Sequence, residues 1–145
     1  MQSKLIEQIL ENYNCYKNTI LRNIEDYSYR KVRYSVDFTV ALFMSERDLN
    51  ADYIREKIRD TDSVLKLDHN LVAVVFDFAT EDAGFKAAEN LLSKIEPSLF
   101  GADIFISVSN SHGMIDDDEQ IRKAFDTLIT EIRNNFEDIP MGVED

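Results

Sequence analysis

Few residues of this chain have the types and spacing that chemistry requires. The two histidines, His69 and His112, lie far apart and form no HxxxH pair, whereas a metal site needs several convergent ligands. We therefore interpret them as surface histidines. Cys15 is the only cysteine, so one chain can form neither an internal disulfide nor a thiolate metal cluster. No serine lies in a nucleophile elbow, and no glycine-rich loop could cradle a phosphate, so no residues are arranged for catalysis.

Two charged clusters have explanations other than a binding site. The acidic run Asp116–Glu119 lacks the spacing of an EF-hand and suits the first turn of a helix, where negative charge meets the positive end of the macrodipole. The densest basic patch is Arg30, Lys31 and Arg33, and we interpret it as a solvated junction between a helix and a strand. Because the net charge is −12, phosphate backbones would be repelled, and no nucleic-acid partner is expected.

The length of 145 residues suits one domain with a real core. Hydrophobic residues make up 44% of the chain and charged residues 30%, which is ordinary for a globular protein. The sequence contains no apolar run long enough to cross a bilayer and no signal-peptide pattern. We therefore expect a cytoplasmic protein that does not associate with membranes and that needs no cofactor.

Residues 3–27 are predicted to form one helix. Its apolar and aromatic positions recur in alternating steps of three and four residues, the spacing of a coiled-coil seam, at Ile6, Ile9, Tyr13, Tyr16 and Ile20. One interpretation is that residues 1–30 are a dimerisation element, which would give a homodimer or dock a protein partner. The alternative is that this helix packs on its own domain, residues 31–145.

The elements after this helix follow the order β-α-β-β-α-β-α. The first six match the ferredoxin-like, or palm, βαββαβ arrangement, an antiparallel sheet with helices on one face. The predicted fold class is therefore α+β, with a C-terminal helix and an N-terminal helical extension. The predicted elements are a strand over 34–44, a helix capped by Asn50, a hairpin of strands 64–67 and 71–78, a helix capped by Thr80, a strand over 104–108 and a helix that opens at Asp116.

The stretch Arg59–Phe76 resembles the central part of GGDEF domains, the diguanylate cyclase family. In that family a helix ends, a short strand of the type Leu-Val-Ala-Arg-Leu follows, and the GGDEF signature forms a hairpin. Ala87–Ile95 resembles the next helix of the family, and Ile104–Gly113 resembles its Thr-Val-Ser-Ile-Gly strand. The resemblance covers residues 34–137 by element order and is closest over 59–113. It implies a bacterial signalling domain.

The residues at the catalytic positions of the family differ in this chain. Laid over the family, the signature falls on Asp68, His69, Asn70, Leu71 and Val72, so both of its glycines are absent. Leu71 cannot ligate Mg²⁺, which demands oxygen donors. The chain also runs almost directly from its first strand into the next helix, so a helical insertion that carries a metal ligand and guanine-binding residues is missing. The resemblance therefore implies a degenerate domain without cyclase activity.

The resemblance also implies a ligand site. Many family members carry an inhibitory product site, Arg-x-x-Asp, shortly before the signature, and here Arg59 and Asp62 have that spacing, with Ser63–Leu67 between them and Asp68. A guanidinium group can grip a phosphate or a guanine edge, and a carboxylate accepts from guanine N–H groups. Arg55, one helical turn before Arg59, is the expected second contributor. The alternative is that Arg59 is a last-turn residue favoured by the helix dipole and that Asp62 forms a turn.

Two functions follow from this resemblance. The first is a catalytically inactive GGDEF-like domain that acts as a receptor for cyclic di-GMP or as a regulatory module. The alternative is a purely structural module that dimerises or docks a protein and has no nucleotide ligand. An enzyme of unrelated chemistry on the same fold is a third hypothesis. Arg59 and Asp62 distinguish the first two. Exposure side by side would favour a ligand, and internal ion pairs would favour the interaction module.

Overall fold

The computed structural model describes residues 2–137, with the side chains of residues 4–135. Among the helices of this part, none is long and apolar enough to cross a membrane. The elements in chain order are α1 (Gln2–Asn23), α2 (Glu25–Tyr34), β1 (Thr39–Ser45), α3 (Ala51–Arg55), β2 (Ser63–Asp68), β3 (Leu71–Phe76), α4 (Glu81–Ile95), a short 3-10 helix (Glu96–Leu99), β4 (Ile104–Asn110) and α5 (Asp117–Glu137).

The strands form one antiparallel sheet in the order β2-β3-β1-β4. β2 and β3 pair as neighbours, with Val64 opposite Val74, which confirms the predicted hairpin and the α+β palm arrangement. A β-bulge between Lys66 and Asp68 shifts the register just before the turn. β1 begins at Thr39, later than predicted, because α2 continues as far as Tyr34.

Helices cover both faces of the sheet. Side chains alternate along β1, so that Leu42 belongs to the core beneath α1 and α5 while Phe43 belongs to the core beneath α4. The two helices of the βαββαβ unit, α3 and α4, lie on one face, as predicted, and the N-terminal α1 and the C-terminal α5 cover the other. Every residue of β1 and of β3 is buried, and such continuously apolar strands need cover on both sides.

The N-terminal region is two helices rather than the single predicted one. The break falls at Ile24, which has φ −114° and ψ 11° and is fully buried. α2 then reaches the start of β2, where the Tyr27 hydroxyl donates to the Thr61 carbonyl at 2.9 Å and lies 2.6 Å from the Ser63 hydroxyl. The chain turns at Ile24 so that both helices remain in contact with the same sheet.

The predicted coiled-coil seam of α1 is used inside the domain. Ile9, Tyr16 and Ile20 are buried in the core that α1 shares with α5 and the sheet. Phe125 of α5 stacks on Tyr16 at 6.1 Å between ring centroids and meets Tyr13 edge-on at 5.4 Å. This packing supports the alternative in which the helix packs on its own domain, because it joins α1 to the core of the remaining chain.

Candidate ligand-binding site

Arg59 and Asp62 lie in the turn that joins α3 to β2. α3 begins at a predicted cap, where the Asn50 side chain accepts from the Tyr53 N–H at 3.0 Å, and it ends after little more than one turn at Arg55. The following turn closes through a hydrogen bond from the Asp62 N–H to the Arg59 carbonyl at 3.0 Å. The turn brings the two side chains of the Arg-x-x-Asp motif into direct contact.

The Asp62 carboxylate is buried and fully engaged within the protein. Arg59 donates to both of its oxygens, from Nε to Oδ2 at 3.1 Å and from Nη2 to Oδ1 at 2.9 Å. The backbone N–H groups of Arg59 and Asp77 donate to the same two oxygens, at 3.2 and 2.9 Å. Because Asp62 is only 4% exposed and its oxygens are occupied, it offers no free acceptor to a guanine edge.

Arg59, by contrast, presents much of its side chain to solvent. Its side chain is 59% exposed, although its Nη2 also donates to the Asp77 carbonyl. The hydrogen bonds to Asp62 raise the pKa of the Arg59 guanidinium above its usual value. Arginine is fully charged at physiological pH even without such a shift. Asp62 therefore orients a cation whose outer edge remains accessible.

A groove of about 450 Å³ lies beside Arg59, between the end of α3 and α4. Three of its residues are cationic, Lys57, Arg59 and Lys94, in a chain whose net charge is −12. The Lys57 ammonium lies 4.9 Å from the centre of the Tyr53 ring. The other residues that line the groove are Glu56, Ile58, Asp62, Phe76, Ala87, Asn90 and Leu91.

Arg55 is outside this groove. Its Nη2 donates to the carbonyl of Val64 at 3.3 Å, which directs the side chain toward β2. Lys94 of α4 lines the groove instead, and sequence reasoning missed it. Lys94 lies one helical turn after Asn90, another groove residue, so the sequence places the two side chains on the same face of α4. No local feature of the sequence indicates that this face meets the end of α3.

The hairpin turn at the signature position is closed by α1. The Tyr16 hydroxyl donates to Asp68 at 2.7 Å, and Gln8 donates to Asp68 at 3.2 Å and to Asn70 at 2.8 Å. Asn70 donates back to Gln8 at 3.1 Å, and Leu71 is fully buried. The polar side chains at this turn are therefore bonded to the protein itself.

The histidines occupy exposed positions, as predicted. His69 Nδ1 lies 2.6 Å from an Asp48 carboxylate oxygen, and His112 Nδ1 lies 3.4 Å from Asp37. Within residues 2–137 no group of three or more histidine, cysteine, aspartate or glutamate side chains could hold a metal ion.

No family model matches the sequence, and no curated protein matches it. Several solved structures match the fold of the chain. The GGDEF domain of YfiN (TpbB) from Pseudomonas aeruginosa superposes with a TM-score of 0.67 at 14% identity, over 77% of this chain and 86% of that one. The GGDEF domain of FimX from Pseudomonas aeruginosa gives a TM-score of 0.65 at 14% identity, over 81% and 88%. The chain has the fold of a GGDEF domain.

A third structure with the GGDEF fold is described as a novel interaction mode between a microbial GGDEF domain and cyclic di-GMP. It superposes with a TM-score of 0.61 at 13% identity, over 82% of this chain and 87% of that one. The TM-scores of these three structures show a shared fold, which confirms the fold implied by the resemblance of Arg59–Phe76 to the family.

Proposed function

We propose that this chain is a non-catalytic regulatory domain with the GGDEF fold, which binds a partner molecule and does not synthesise a cyclic dinucleotide. The closed hairpin turn carries this proposal. Two-metal phosphoryl transfer needs free carboxylates that neutralise triphosphate charge. Here Asp68 is bonded to Tyr16 and Gln8, and the neighbouring Leu71 has no oxygen to offer a metal and is buried.

Incubation with GTP and either Mg²⁺ or Mn²⁺ tests the absence of catalysis. We expect no cyclic dinucleotide above a protein-free blank, detected by chromatography and mass spectrometry. The Asp68→Ala variant is the control for contamination, because a contaminating cyclase would copurify with both proteins. Turnover that occurs in the unmodified protein and disappears in Asp68→Ala would contradict the proposal.

We further propose cyclic di-GMP as the ligand, bound at the groove beside Arg59. The support is electrostatic, because a dinucleotide with two phosphates needs local positive charge. The three cations of the groove, Lys57, Arg59 and Lys94, outnumber its two acidic residues, Glu56 and Asp62. The resemblance to the inhibitory site of the family points to Arg59 as well. In this proposal Arg59 contacts the ligand, and the buried Asp62 acts as a positioning residue that holds the guanidinium.

Calorimetric titration with cyclic di-GMP tests this site. A charge-assisted contact contributes about 1.5–3 kcal/mol, so Arg59→Ala should weaken binding by about ten- to a hundredfold. Lys86→Ala removes an exposed charge of α4 outside the groove and should leave the affinity unchanged. Raising the salt concentration should weaken binding too, because the groove is open to solvent.

The second candidate is a module that binds only protein, and the burial of Asp62 is the observation that favours it. A carboxylate that is locked into internal hydrogen bonds cannot recognise guanine, so the motif would then serve only to fix the turn before β2. If the unmodified protein shows no binding heat at high micromolar cyclic di-GMP, the receptor proposal fails and this candidate remains.

A further inference from the structure

The outer edge of β4 carries unpaired backbone groups. Two backbone hydrogen bonds lie at the two ends of its ladder with β1. The Ser111 N–H donates to the Phe38 carbonyl at 2.9 Å, and the Glu46 N–H donates to the Asp103 carbonyl at 3.3 Å. Bonded and non-bonded pairs alternate in an antiparallel ladder. The backbone groups of Phe105, Ser107 and Ser109 therefore face β1. Those of Ile104, Ile106 and Val108 point away from the sheet, where no strand within residues 2–137 pairs with them.

An apolar groove follows this edge. It has a volume of about 370 Å³ and lies between α4 and α5, with Ile106 and Val108 of β4 at its base. Phe85 and Leu92 of α4 form one wall, and Phe85 is 51% exposed. The α5 wall includes Thr127. The groove thus combines a row of free backbone donors and acceptors with apolar side chains on the α4 side of the strand.

The charges around the groove have one sign. Glu81 and Glu89 of α4 and Glu131 of α5 line it, and no lysine or arginine does. Edge strands commonly avoid pairing with other chains through lysine, proline or a bulge. The sequence of β4, Ile-Phe-Ile-Ser-Val-Ser-Asn, contains neither lysine nor proline, and its ladder with β1 runs without a bulge.

We propose that the β4 edge binds an extended segment of a partner protein in which apolar residues alternate with lysine or arginine. The segment adds a fifth strand to the sheet: its backbone bonds to Ile106 and Val108, its apolar side chains enter the groove, and its cations meet the three glutamates. A second copy of this chain fits less well, because edge-to-edge pairing would bring the two sets of glutamates together. This surface is separate from the Arg59 groove and does not depend on a nucleotide ligand.

The probe is a synthetic peptide of alternating lysine and valine with blocked ends, and the matched control peptide replaces lysine with glutamate. Titrated into ¹⁵N-labelled protein, the lysine peptide should shift the amide resonances of Ile106 and Val108 and slow their hydrogen exchange. The double variant Glu89→Lys, Glu131→Lys should weaken binding by roughly tenfold or more. Its control, Glu7→Lys with Glu11→Lys, carries the same charge change on exposed positions of α1 and should bind as the unmodified protein does.

Val108→Pro tests the backbone hydrogen bonds to the partner, because it removes an N–H that points away from β1. The substitution should abolish binding without breaking a hydrogen bond within the sheet. Several results would overturn the proposal. The proposal fails if millimolar lysine peptide causes no resonance shifts, or if the shifts are confined to the Arg59 groove. It also fails if the two peptides bind equally well, or if the Glu89 and Glu131 variant keeps the original affinity. The charge variants keep the test decisive even if the proline variant fails to fold.

Discussion

The Tyr16 hydroxyl and the Asp68 carboxylate form the hydrogen bond that fastens α1 to the hairpin turn. Burial, together with this bond, raises the pKa of Tyr16 to about 12. Partial burial raises the pKa of Asp68, but hydrogen bonds from Tyr16, the His69 N–H and Gln8 outweigh it and leave the pKa below its usual value. A carboxylate with a lowered pKa stabilises the fold above its unfolded pKa, and this stabilisation is lost as the pH falls through the folded pKa.

Tyr16→Phe should therefore lower the free energy of unfolding by about 0.5–1.5 kcal/mol at neutral pH, because it removes the hydroxyl and keeps the ring beside Phe125. The difference from the unmodified protein should shrink as the pH falls below about 4, the ordinary pKa of an aspartate, and through the lower pKa of folded Asp68. Urea unfolding at several pH values measures both effects. Tyr13→Phe is the control, since Tyr13 also contacts Phe125 but donates no hydrogen bond to a described residue. A stability difference that is constant with pH would show that the carboxylate is not involved.

The Arg59–Asp62 pair shows how far sequence could predict the site. A spacing of three residues around a turn is local, so the contact between the two side chains follows from the sequence. The burial of Asp62 does not, because it depends on the Asp77 N–H at the end of β3, which only the tertiary fold brings near. Lys94 lines the groove only because the tertiary fold brings α4 next to the turn after α3, which the local sequence does not predict.

At the scale of elements, local side-chain signals predicted the helix caps, whereas the break in the N-terminal helix depends on tertiary packing. The caps Asn50 and Thr80 were predicted from side-chain chemistry, and both accept the expected backbone N–H. No glycine or proline lies at the break at Ile24, so the local sequence does not predict it. The cause is packing: Ile24 is fully buried, and the chain bends there to keep α2 on the sheet.

The contact between α4 and β1 depends on one glycine. A Cβ atom on Gly84 would lie 2.0 Å from the Thr39 hydroxyl oxygen, which itself accepts from Asn110 at 2.8 Å. Only glycine lets the helix approach the central strand this closely. The contact fixes the first turns of α4, which also carry Glu81, Phe85 and Glu89 of the β4-edge groove. The position of that groove is thus set by the packing of α4 against the centre of the sheet.

Across the whole molecule, the sheet separates two apolar cores, and α4 lies between the two grooves of opposite charge. The cationic groove uses Asn90 and Lys94 of α4, whereas the acidic groove uses Phe85 and Glu89. A net charge of −12 gives no hint of this arrangement, because it sums over both surfaces. If both proposals hold, the two grooves on one helix would allow a ligand and a protein partner to be bound at the same time.

The role of α1 can be decided on the intact molecule and on a chain that lacks residues 1–24. Fully burying one large apolar side chain contributes about 1.5–3 kcal/mol, and a domain of this kind is stable by about 5–15 kcal/mol. Loss of Ile9, Tyr16, Ile20 and Ile24, all buried in the core under α5, should cost about 6–12 kcal/mol, which is comparable to the whole stability of the domain, and should therefore abolish or greatly weaken cooperative thermal unfolding.

Point variants of α1 give the same prediction without a truncation. Ile9→Ala should lower the free energy of unfolding by about 2–5 kcal/mol, whereas Leu10→Ala, on the solvent face, should change it little. Sedimentation velocity and circular dichroism on the truncated chain complete the measurement. The interpretation of α1 as a dimerisation element would be supported if the truncated chain unfolds cooperatively at the original temperature and sediments at about half the mass of the full-length species. The burial of Ile9 and Ile20 within one chain leads us to expect the opposite, because α5 already occupies the face that a second copy would need.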